Sequence, residues 1–439
     1  MKLCLLPCEV YHREFDSKLN LACHLSSTHG ISTLIGYDKH FNVLSRCLSN
    51  SVIVDKSCSS IMWNGRIKHI VHSGGSAFVS DEEGFNNLSL SNKQSFINRV
   101  SSKAANSLHT YACWGTVDYN FYKEIPELAP KMKIIGNIRS DLLSESGNQF
   151  YQNEIRSLKL LYGEFVLCSD NFCIEHRKGP YSLPRYHGVS EEDHLKADTK
   201  YRQRMNESSK NRLFFADMIE KSCIENSHIN YIIRPHPMSD PRWWVEKFWR
   251  YQNVHVIYHL PIEPWLHAAS VVVSMGCTTS IQALVTKTPV IELLNPELSS
   301  SSKNKGFSHL YTSYIADNIS SFNDFLTSIM QKKLTGHLNL SRLSDVHWHN
   351  CFSSNVSQQF AYLISQAPTF LSENSPSDIF SLLSSFGNSK YNNIGLIDSS
   401  KWPIPKFSDI SNKILRFSRI YRLKPPKLYK VSSALYLVK

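Results

Sequence analysis

The chain has 439 residues, enough for two or three domains, and its 42% hydrophobic and 19% charged residues exclude a disordered or fibrous protein. Forty-eight basic and 37 acidic residues give a net charge of +11. Residues 401–439 hold ten Lys or Arg and one acid, so the nearly neutral remainder argues against a protein that binds nucleic acid along its length.

The first 145 residues alternate short apolar runs with helical stretches. The patterns predict strands at KLCLLP, at 31–36 and near 133–137, with a helix near 16–27. Another apolar run, IKHIVHSGG, ends in glycines. Strands that alternate with helices form parallel sheets covered on both faces, so residues 1–150 are predicted to be an α/β domain.

The second half contains a clearer series of strands and helices. The predicted strands are FVLCSD, YII, VHVIYHL, SVVVSMG and PVIELL. The predicted helices are the stretch near 209–223, RWWVEKFWRY, IEPWLHAA and TTSIQALVTK. Five strands and four helices in about 130 residues indicate a doubly wound α/β domain, which we place at residues 151–370.

The character of the chain changes near residue 370. Residues 371–400 are rich in Ser and Asn and predict a linker. Residues 401–439 then form a basic amphipathic tail with an apolar stripe at helical spacing, made of Ile410, Ile414, Phe417 and Tyr421. A cationic amphipathic helix suits an anionic membrane surface, where each Lys or Arg contributes about 1 kcal/mol. Nucleic-acid binding, for which no module is present, and a solvated end without a partner are the alternatives.

Several features predict a cytoplasmic protein. No apolar run reaches the roughly 18–20 residues that a membrane span needs. Charged residues, among them Glu9, Glu14 and Asp16, interrupt any signal-peptide core near the start. Eleven scattered cysteines without a Cys-x-x-Cys pair suit a reducing compartment. With the basic tail, the prediction is a cytoplasmic protein peripheral to the inner membrane, in contact with its anionic inner leaflet.

Arg234 and His236 stand in the segment RPHP, directly after a predicted strand. In open α/β sheets, ligands bind at the carboxyl ends of the strands. A cation and an imidazole held there between two prolines suit a phosphate group, because proline restricts the backbone. The alternative is a rigid turn in which the histidine is a hydrogen-bonded core residue.

The segment SMGCTTS also follows a strand, and it opens a helix. Free N–H groups and the helix dipole favour an anion there, and hydroxyl groups add further donors. These hydroxyl residues are Ser274, Thr278, Thr279 and Ser280. A simple Ser/Thr helix cap is the alternative. Together with RPHP, this turn predicts a nucleotide phosphate site.

Other common nucleotide and metal motifs are missing from the sequence. There is no Asp-x-Asp, Gly-x-Gly-x-x-Gly or P-loop motif, which argues against metal-dependent sugar transferases, dinucleotide oxidoreductases and P-loop enzymes. His347 and His349 are two residues apart and cannot share one helix face, so no metal site is predicted.

Five segments in order resemble one protein family: LPCEVYHREFDSKLNLA, SDEEG, GNIRSDLL, RPHP and SMGCTTS. Over residues 1–330 the chain is similar to bacterial surface carbohydrate biosynthesis proteins. These are glycosyltransferases of the GT-B architecture, related in layout to capsule Kdo- and sialic-acid-transferring enzymes. RPHP and the Ser/Thr turn also occur in looser form in CDP-glycerol-type polymerases.

The resemblance implies two Rossmann-like doubly wound domains facing each other across a cleft, with the acceptor bound by the first and the nucleotide-sugar by the second. It implies that Arg234 and His236 contact the donor phosphate and that the hydroxyl turn closes around it. Gln282 stands where many GT-B enzymes carry a ribose-binding Glu. Arg139, which follows Asn137-Ile138 where relatives tend to have a proline before the Arg, joins the predicted donor-binding residues together with Ser274.

Transfer needs a carboxylate, either as a base for the acceptor hydroxyl or as a nucleophile. The candidates lie in the first domain: Glu9, Glu14, Asp16, Asp81, Glu82, Glu83 and Asp141. Glu14 and Glu83 are favoured as catalytic residues. Asp141 is the third candidate, with the alternative that it is a salt-bridged residue of a domain hinge. Each carboxylate could instead be solvated or cap a helix.

The sequence therefore predicts a metal-independent GT-B glycosyltransferase that builds a bacterial surface polysaccharide such as capsule or lipopolysaccharide. The donor would be a nucleotide-sugar, with a CMP-activated keto-sugar such as Kdo as the leading candidate on family grouping, and no cofactor would be required. The acceptor would be a growing, lipid-linked glycan. Two alternatives stay open: a CDP-polyol phosphotransferase, and a non-catalytic sugar-binding scaffold of the same fold.

Overall fold

The structure is a computed structural model that describes residues 2–82, 100–172, 191–236, 239–298, 312, 314–334, 340–371, 381–385 and 401–439. The chain forms two compact units. The first unit contains Met1–Gln152 together with Ser341–Lys439, and the second contains Asn153–Leu340. Glu83 and most of the predicted linker lie outside the described residues.

Fourteen strands are described, numbered in chain order. They are β1 Leu3–Cys8, β2 Ser32–Tyr37, β3 Val52–Asp55, β4 Ser76–Ser80, β5 Thr110–Cys113, β6 Met132–Ile134, β7 Phe165–Ser169, β8 Asn230–Arg234, β9 Val254–Val256, β10 Val271–Ser274, β11 Val290–Leu293, β12 Ile315–Ala316, β13 Leu428–Ser432 and β14 Leu435–Val438. The first six and the last two belong to the first unit.

The helices are numbered in the same way. They are α1 Tyr11–His29, α2 Asp38–Leu44, α3 Ser60–Met62, α4 Lys68–His72, α5 Ser102–Ser107, α6 Thr116–Tyr122, α7 Ser140–Leu143, α8 Glu145–Phe150, α9 Gln152–Tyr162, α10 Glu191–Glu225, α11 Arg242–Phe248, α12 Ile262–Ala268, α13 Thr278–Val285, α14 Ile319–Met330, α15 Leu340–Arg342, α16 Val356–Ser365 and α17 Phe407–Ile420. Among the described helices, none is both long and apolar enough to cross a membrane.

The first unit is built on an eight-stranded sheet in the order β13-β14-β2-β1-β3-β4-β5-β6. Strands β1 to β6 run parallel, and β14 pairs antiparallel with β2. All six residues of β1 are buried, because helices cover both faces of a parallel sheet. The run IKHIVHSGG is not a strand: it ends a π-helical turn and forms α4, and the strand of that region is β4.

Residues 341–439, hereafter the returning segment, pack in the first unit. From sequence, residues 341–370 were predicted to belong to the second domain and residues 401–439 to form a separate tail. Instead, α16 lies along α1, α17 packs on α1 and α8, and the β13–β14 hairpin extends the sheet. The apolar stripe of α17 is buried within the unit: Ile410, Ile414 and Phe417 have at most 2% of their surface exposed.

The second unit has a parallel six-stranded sheet in the order β12-β11-β10-β7-β8-β9. The five predicted strands of this half are all present, and the chain reverses its direction of progress across the sheet between β7 and β10. Two Rossmann-like α/β units are therefore present, as predicted.

Candidate functional site

In the second unit, the carboxyl ends of β7 and β10 meet at the reversal point of the sheet. In doubly wound folds this crevice is where ligands bind. Asn171 Nδ2, just after β7, donates to the carbonyl of Met275 at 2.9 Å, just after β10. The N-terminus of α13 follows immediately, with Cys277 as its N-cap. The hydroxyl turn predicted from sequence thus lies at the ligand edge of this sheet.

The predicted hydroxyl residues differ in what they can reach. Thr278 is exposed and Thr279 is half-buried at the first turn of α13, whereas Ser280 and Gln282 are buried. The hydroxyl of Ser280 donates to the carbonyl of Cys277 within the same turn. Thr278 and Thr279 are therefore the hydroxyl side chains of this turn that reach the surface.

Ser274 is fully buried and holds the turn in shape. Its hydroxyl lies 3.3 Å from Glu292 Oε1 and accepts the N–H of Cys277 at 3.3 Å. Glu292, in β11, also accepts the N–H of Gly276 at 2.8 Å, and Gly276 has a φ of +72°. The hydrogen bonds of Ser274 in this structure are thus made within the protein. Its contact with a nucleotide-sugar donor stays a prediction.

Arg234 ends β8 with its guanidinium directed into the protein. Nη1 donates to the carbonyl of His259 at 2.8 Å and Nη2 to that of Leu260 at 2.6 Å, with the ring of Tyr258 beneath. Burial lowers the pKa of Arg234 to about 10. Arg234 therefore braces the loop after β9, and its predicted phosphate contact stays a prediction.

His236 is half-buried, two residues beyond β8. Its backbone N–H donates to Asp170 Oδ2 at 3.3 Å, and that oxygen also accepts the indole N–H of Trp244 at 3.1 Å. The other oxygen of Asp170 accepts the N–H of Phe172 at 2.7 Å. Asp170, directly after β7, thus holds the backbone at His236. Its position after the run FVLCS was the signal in the sequence that could have identified it.

Glu14 belongs to a buried ionic cluster after β1 in the first unit. Lys18 Nζ lies 3.0 Å from Glu14 Oε2, 3.4 Å from Glu82 Oε1 and 2.7 Å from the carbonyl of Pro7. Glu14 also accepts the N–H of Glu9 at 2.9 Å. Burial alone would raise the pKa of Glu14, but nearby cations, Lys18 foremost, lower it to about 2. Glu14 therefore anchors the β1–α1 turn as an ionised, fully bonded group.

Glu82 lies two residues after β4 and is 6% exposed. The carbonyl of the preceding Asp81 accepts the indole N–H of Trp114 at 2.6 Å and the amide of Asn137 at 3.2 Å. These bonds connect the ends of three neighbouring strands, β4 to β6. Lys18, which sequence analysis missed although it stands four residues after Glu14, completes the cluster.

Asp141 is fully buried and directed at the N-terminus of α16. Oδ1 accepts the N–H of Val356 at 2.9 Å, and Oδ2 accepts the N–H of Ser357 at 2.9 Å and the amide of Asn20 at 3.2 Å. Burial raises the pKa of Asp141 to about 6 despite these bonds. Asp141 thus caps a helix and links α7 to α1 and α16; its partners are backbone and amide groups, unlike the salt bridge considered from sequence.

Arg139 is buried immediately before α7, and its backbone N–H donates to Asn137 Oδ1 at 2.9 Å. Its place in the donor site stays a prediction. Within the part of the chain that the structure describes, no group of three His, Cys, Asp or Glu residues could hold a metal ion.

The search of known proteins found no matching family model and no matching curated sequence. Among solved structures, the wall teichoic acid polymerase TagF (H444N + CDPG) is similar with a TM-score of 0.53 at 10% identity, covering 83% of this chain and 88% of that one. The UDP-GlcNAc 2-epimerase from Neisseria meningitidis bound to UDP-GlcNAc has a TM-score of 0.49 at 10% identity, with 84% and 100% covered. Anabaena Alr3699/HepE in complex with UDP-glucose has 0.41 at 11% identity, with 88% and 100% covered. The GT-B fold predicted from sequence is confirmed by the likeness to TagF.

Proposed function

We propose that this GT-B-fold protein is an enzyme that binds a nucleotide-activated donor through its second unit and transfers a glycosyl group from it. The observation that carries the proposal is the start of α13, which lies at the reversal point between β7 and β10 with Thr278 and Thr279 accessible. Helix N-termini at this point of doubly wound sheets bind phosphate through free N–H groups. A nucleotide diphosphate or phosphate ester is the ligand that suits it.

In this proposal, the imidazole of His236 and the hydroxyls of Thr278 and Thr279 contact the donor phosphate. Arg234 supports them indirectly, because its guanidinium holds the loop after β9. Gln282 is proposed to hydrogen-bond the ribose. The first unit is proposed to supply the acceptor site and the catalytic carboxylate.

We propose a sugar nucleotide as the donor, with a CMP-activated keto-sugar such as Kdo as the leading candidate on family grouping and UDP-sugars as its competitors. The acceptor is proposed to be a lipid-linked glycan of a bacterial surface polysaccharide. A CDP-polyol phosphotransferase is the alternative to test beside it, since TagF, similar in fold, was soaked with CDPG. The phosphorus content of the product separates the two reactions.

A thermal-shift screen against CMP, CDP, UDP, GDP and dTDP, with and without magnesium, tests the proposal. A ligand at one hundred times its dissociation constant adds about 2.7 kcal/mol to the stability of the folded state. Stabilisation by CMP alone supports a CMP-sugar. Preference for UDP, GDP or dTDP keeps a glycosyl donor and rules out the keto-sugar, and no response to any nucleotide contradicts donor binding.

Matched histidine variants locate the site within the second unit. His236→Ala should abolish the nucleotide-dependent shift while leaving the melting temperature without ligand unchanged. His228→Ala is the control, because His228 is exposed next to β8 at the opposite, amino end of that strand. Equal shifts in the two variants would remove His236 from the donor site.

We also propose that the protein is peripheral to the inner face of a bacterial membrane. The face of α17 that would contact the membrane is opposite to the one expected from sequence. The apolar stripe is packed inside the first unit, so the contact would be made by exposed Phe407 and Leu415 together with seven exposed basic residues: Lys406, Arg419, Arg422, Lys424, Lys427, Lys430 and Lys439. Co-sedimentation with phosphatidylglycerol vesicles should fall steeply between about 0.05 and 0.5 M salt, because the Debye length shortens from about 14 Å to about 4 Å over that range. Binding only to vesicles of phosphatidylcholine, and not to those of phosphatidylglycerol, would contradict the proposed membrane contact.

A further inference from the structure

We propose that Glu82 is the carboxylate that removes the proton from the attacking hydroxyl group, an inference that rests on the transferase function proposed above. Glu82 follows β4 at the carboxyl edge of the sheet in the first unit, the edge at which α/β sheets bind ligands. Its side chain is 2% exposed, and Oε1 lies 3.4 Å from Lys18 Nζ.

Two neighbouring carboxylates at this edge, Glu9 and Asp55, use both of their oxygens within the chain. Glu9 pairs with Lys56 through one oxygen and with Lys401 through the other. Both oxygens of Asp55 accept from the guanidinium of Arg66, at 2.6 and 2.9 Å. Both carboxylates therefore belong to structural ion pairs.

Glu14 is excluded for the same reason. Its Oε2 accepts from Lys18 and from the N–H of Glu9, and its Oε1 accepts from Arg13 at 2.9 Å. Its pKa, lowered by Lys18 and Arg13 against the effect of burial, leaves it a very weak base. The carboxylate favoured from sequence thus stabilises the turn.

Glu82 differs from all of these in its second oxygen. Oε2 is buried and has no hydrogen-bond partner among the described residues. Burying a carboxylate oxygen without a hydrogen-bond donor destabilises the folded state by several kcal/mol, so such an oxygen usually binds a water, an ion or a ligand. The hydroxyl of an acceptor is a donor of the right kind, and its proton would be delivered to Oε2.

The surroundings hold Glu82 in place. The carbonyl of Asp81 is fixed by the indole of Trp114 and the amide of Asn137, which come from the ends of β5 and β6. Lys18 attracts Oε1, which leaves Oε2 as the reactive atom. Asn137, Trp114 and Lys18 are therefore positioning residues, and they connect two of the sequence segments, SDEEG and GNIRSDLL.

The step is a base-assisted displacement. Oε2 accepts the hydroxyl proton as the hydroxyl oxygen forms a bond to the anomeric carbon of the donor sugar. The bond from that carbon to the nucleotide phosphate oxygen breaks, and its electron pair leaves with the nucleotide. Protonated Glu82 then releases the proton to water, which restores the carboxylate. With water as the acceptor, the same step hydrolyses the donor, so nucleotide release reports on it directly.

The experiment compares the full-length wild type with Glu82→Gln and with Glu145→Gln, a control at an exposed carboxylate in the first turn of α8. Nucleotide release is measured with CMP-Kdo, UDP-glucose, UDP-GlcNAc and CDP-glycerol, and donor affinity by calorimetry. Glu82→Gln should lower kcat by 10²–10⁴-fold with donor affinity within about twofold of wild type, the range for loss of a general base. Glu145→Gln should match the wild type.

A third variant separates chemistry from folding. Glu82→Ala leaves space beside Lys18, and added formate should restore at least tenfold of the lost turnover, which a merely structural side chain would not allow. Retention of more than a tenth of wild-type turnover by Glu82→Gln, or no rescue of a folded Glu82→Ala by formate, overturns the assignment alone. A wild type that binds and turns over none of the donors overturns the proposed function and this inference with it.

Discussion

Replacing Phe417 by Ala tests whether the basic C-terminal segment is part of the core of the first unit. Phe417 is 1% exposed, and its ring stacks on that of Phe150 with 4.0 Å between centroids and 12° between planes. Removing a buried phenyl ring loses its transfer free energy and leaves a cavity, so the free energy of unfolding should fall by about 3–5 kcal/mol. Domains are stable by about 5–15 kcal/mol, so this is a large fraction. Urea unfolding followed by tryptophan fluorescence measures the change as a lower midpoint.

The matched control is Leu415→Ala in the same helix. Leu415 is 50% exposed, so its replacement should change the free energy of unfolding by no more than about 0.5 kcal/mol. If Phe417→Ala and Leu415→Ala lose the same amount, α17 does not pack on the first unit, and the tail is a separable appendage. Vesicle binding should respond in the opposite sense: Leu415→Ala weakens it, and Phe417→Ala leaves it unchanged in the folded protein.

Three further predictions concern the first unit. Arg66→Met should lower the free energy of unfolding in urea by about 3–5 kcal/mol, because Asp55 is left buried without a cation. Adding Asp55→Asn to this variant should recover most of that loss, and no recovery would contradict the buried ion pair. Burial lowers the pKa of His24 to about 4, so the unfolded chain binds a proton before the folded chain does as the pH falls below 6.5. The free energy of unfolding should therefore fall by up to about 3 kcal/mol between pH 6.5 and pH 4. His24→Phe should remove that loss, and parallel curves of stability against pH for the two proteins would refute the prediction. Gly136→Ala should lower the melting temperature far more than Gly30→Ala, because both have positive φ but only at Gly136 would a Cβ lie 2.2 Å from a backbone carbonyl oxygen; equal losses would contradict this packing.

Local sequence was sufficient for the strands with continuous apolar runs. LCLLPC and the runs that form β7, β10 and β11 are buried throughout, and such runs can be identified without knowing their partners. The tail could not be placed in this way. The helical period of α17 was predicted correctly. However, Phe150, which contacts α17, and β2, which pairs with β14, are hundreds of residues away in sequence.

The candidate sites were predictable in position and less so in detail. RPHP and SMGCTTS both follow strands of one parallel sheet, so their common edge follows from the pattern. Arg234 donates to the carbonyls of His259 and Leu260 only because the backbone at Leu260 is left-handed, with a φ of 63°. A leucine in the sequence does not predict that conformation. Likewise, Lys18 was not identified from sequence although its i,i+4 spacing from Glu14 permits an ion pair, and the burial of the two side chains beside Glu82 arises from the chain's tertiary fold.

The pairing of β14 with β2 has a consequence for biosynthesis. Roughly 400 residues separate the two strands, and at about 5–20 residues per second the ribosome needs about 20–80 s to make them. During that time the nascent chain has β2 without its outer neighbour, and an open strand edge is a template for pairing with other chains. The second unit, continuous in sequence, can complete its sheet first. Strand β14 therefore closes a strand edge that was made about 400 residues earlier, and slow synthesis of the residues between the two strands would favour aggregation over folding.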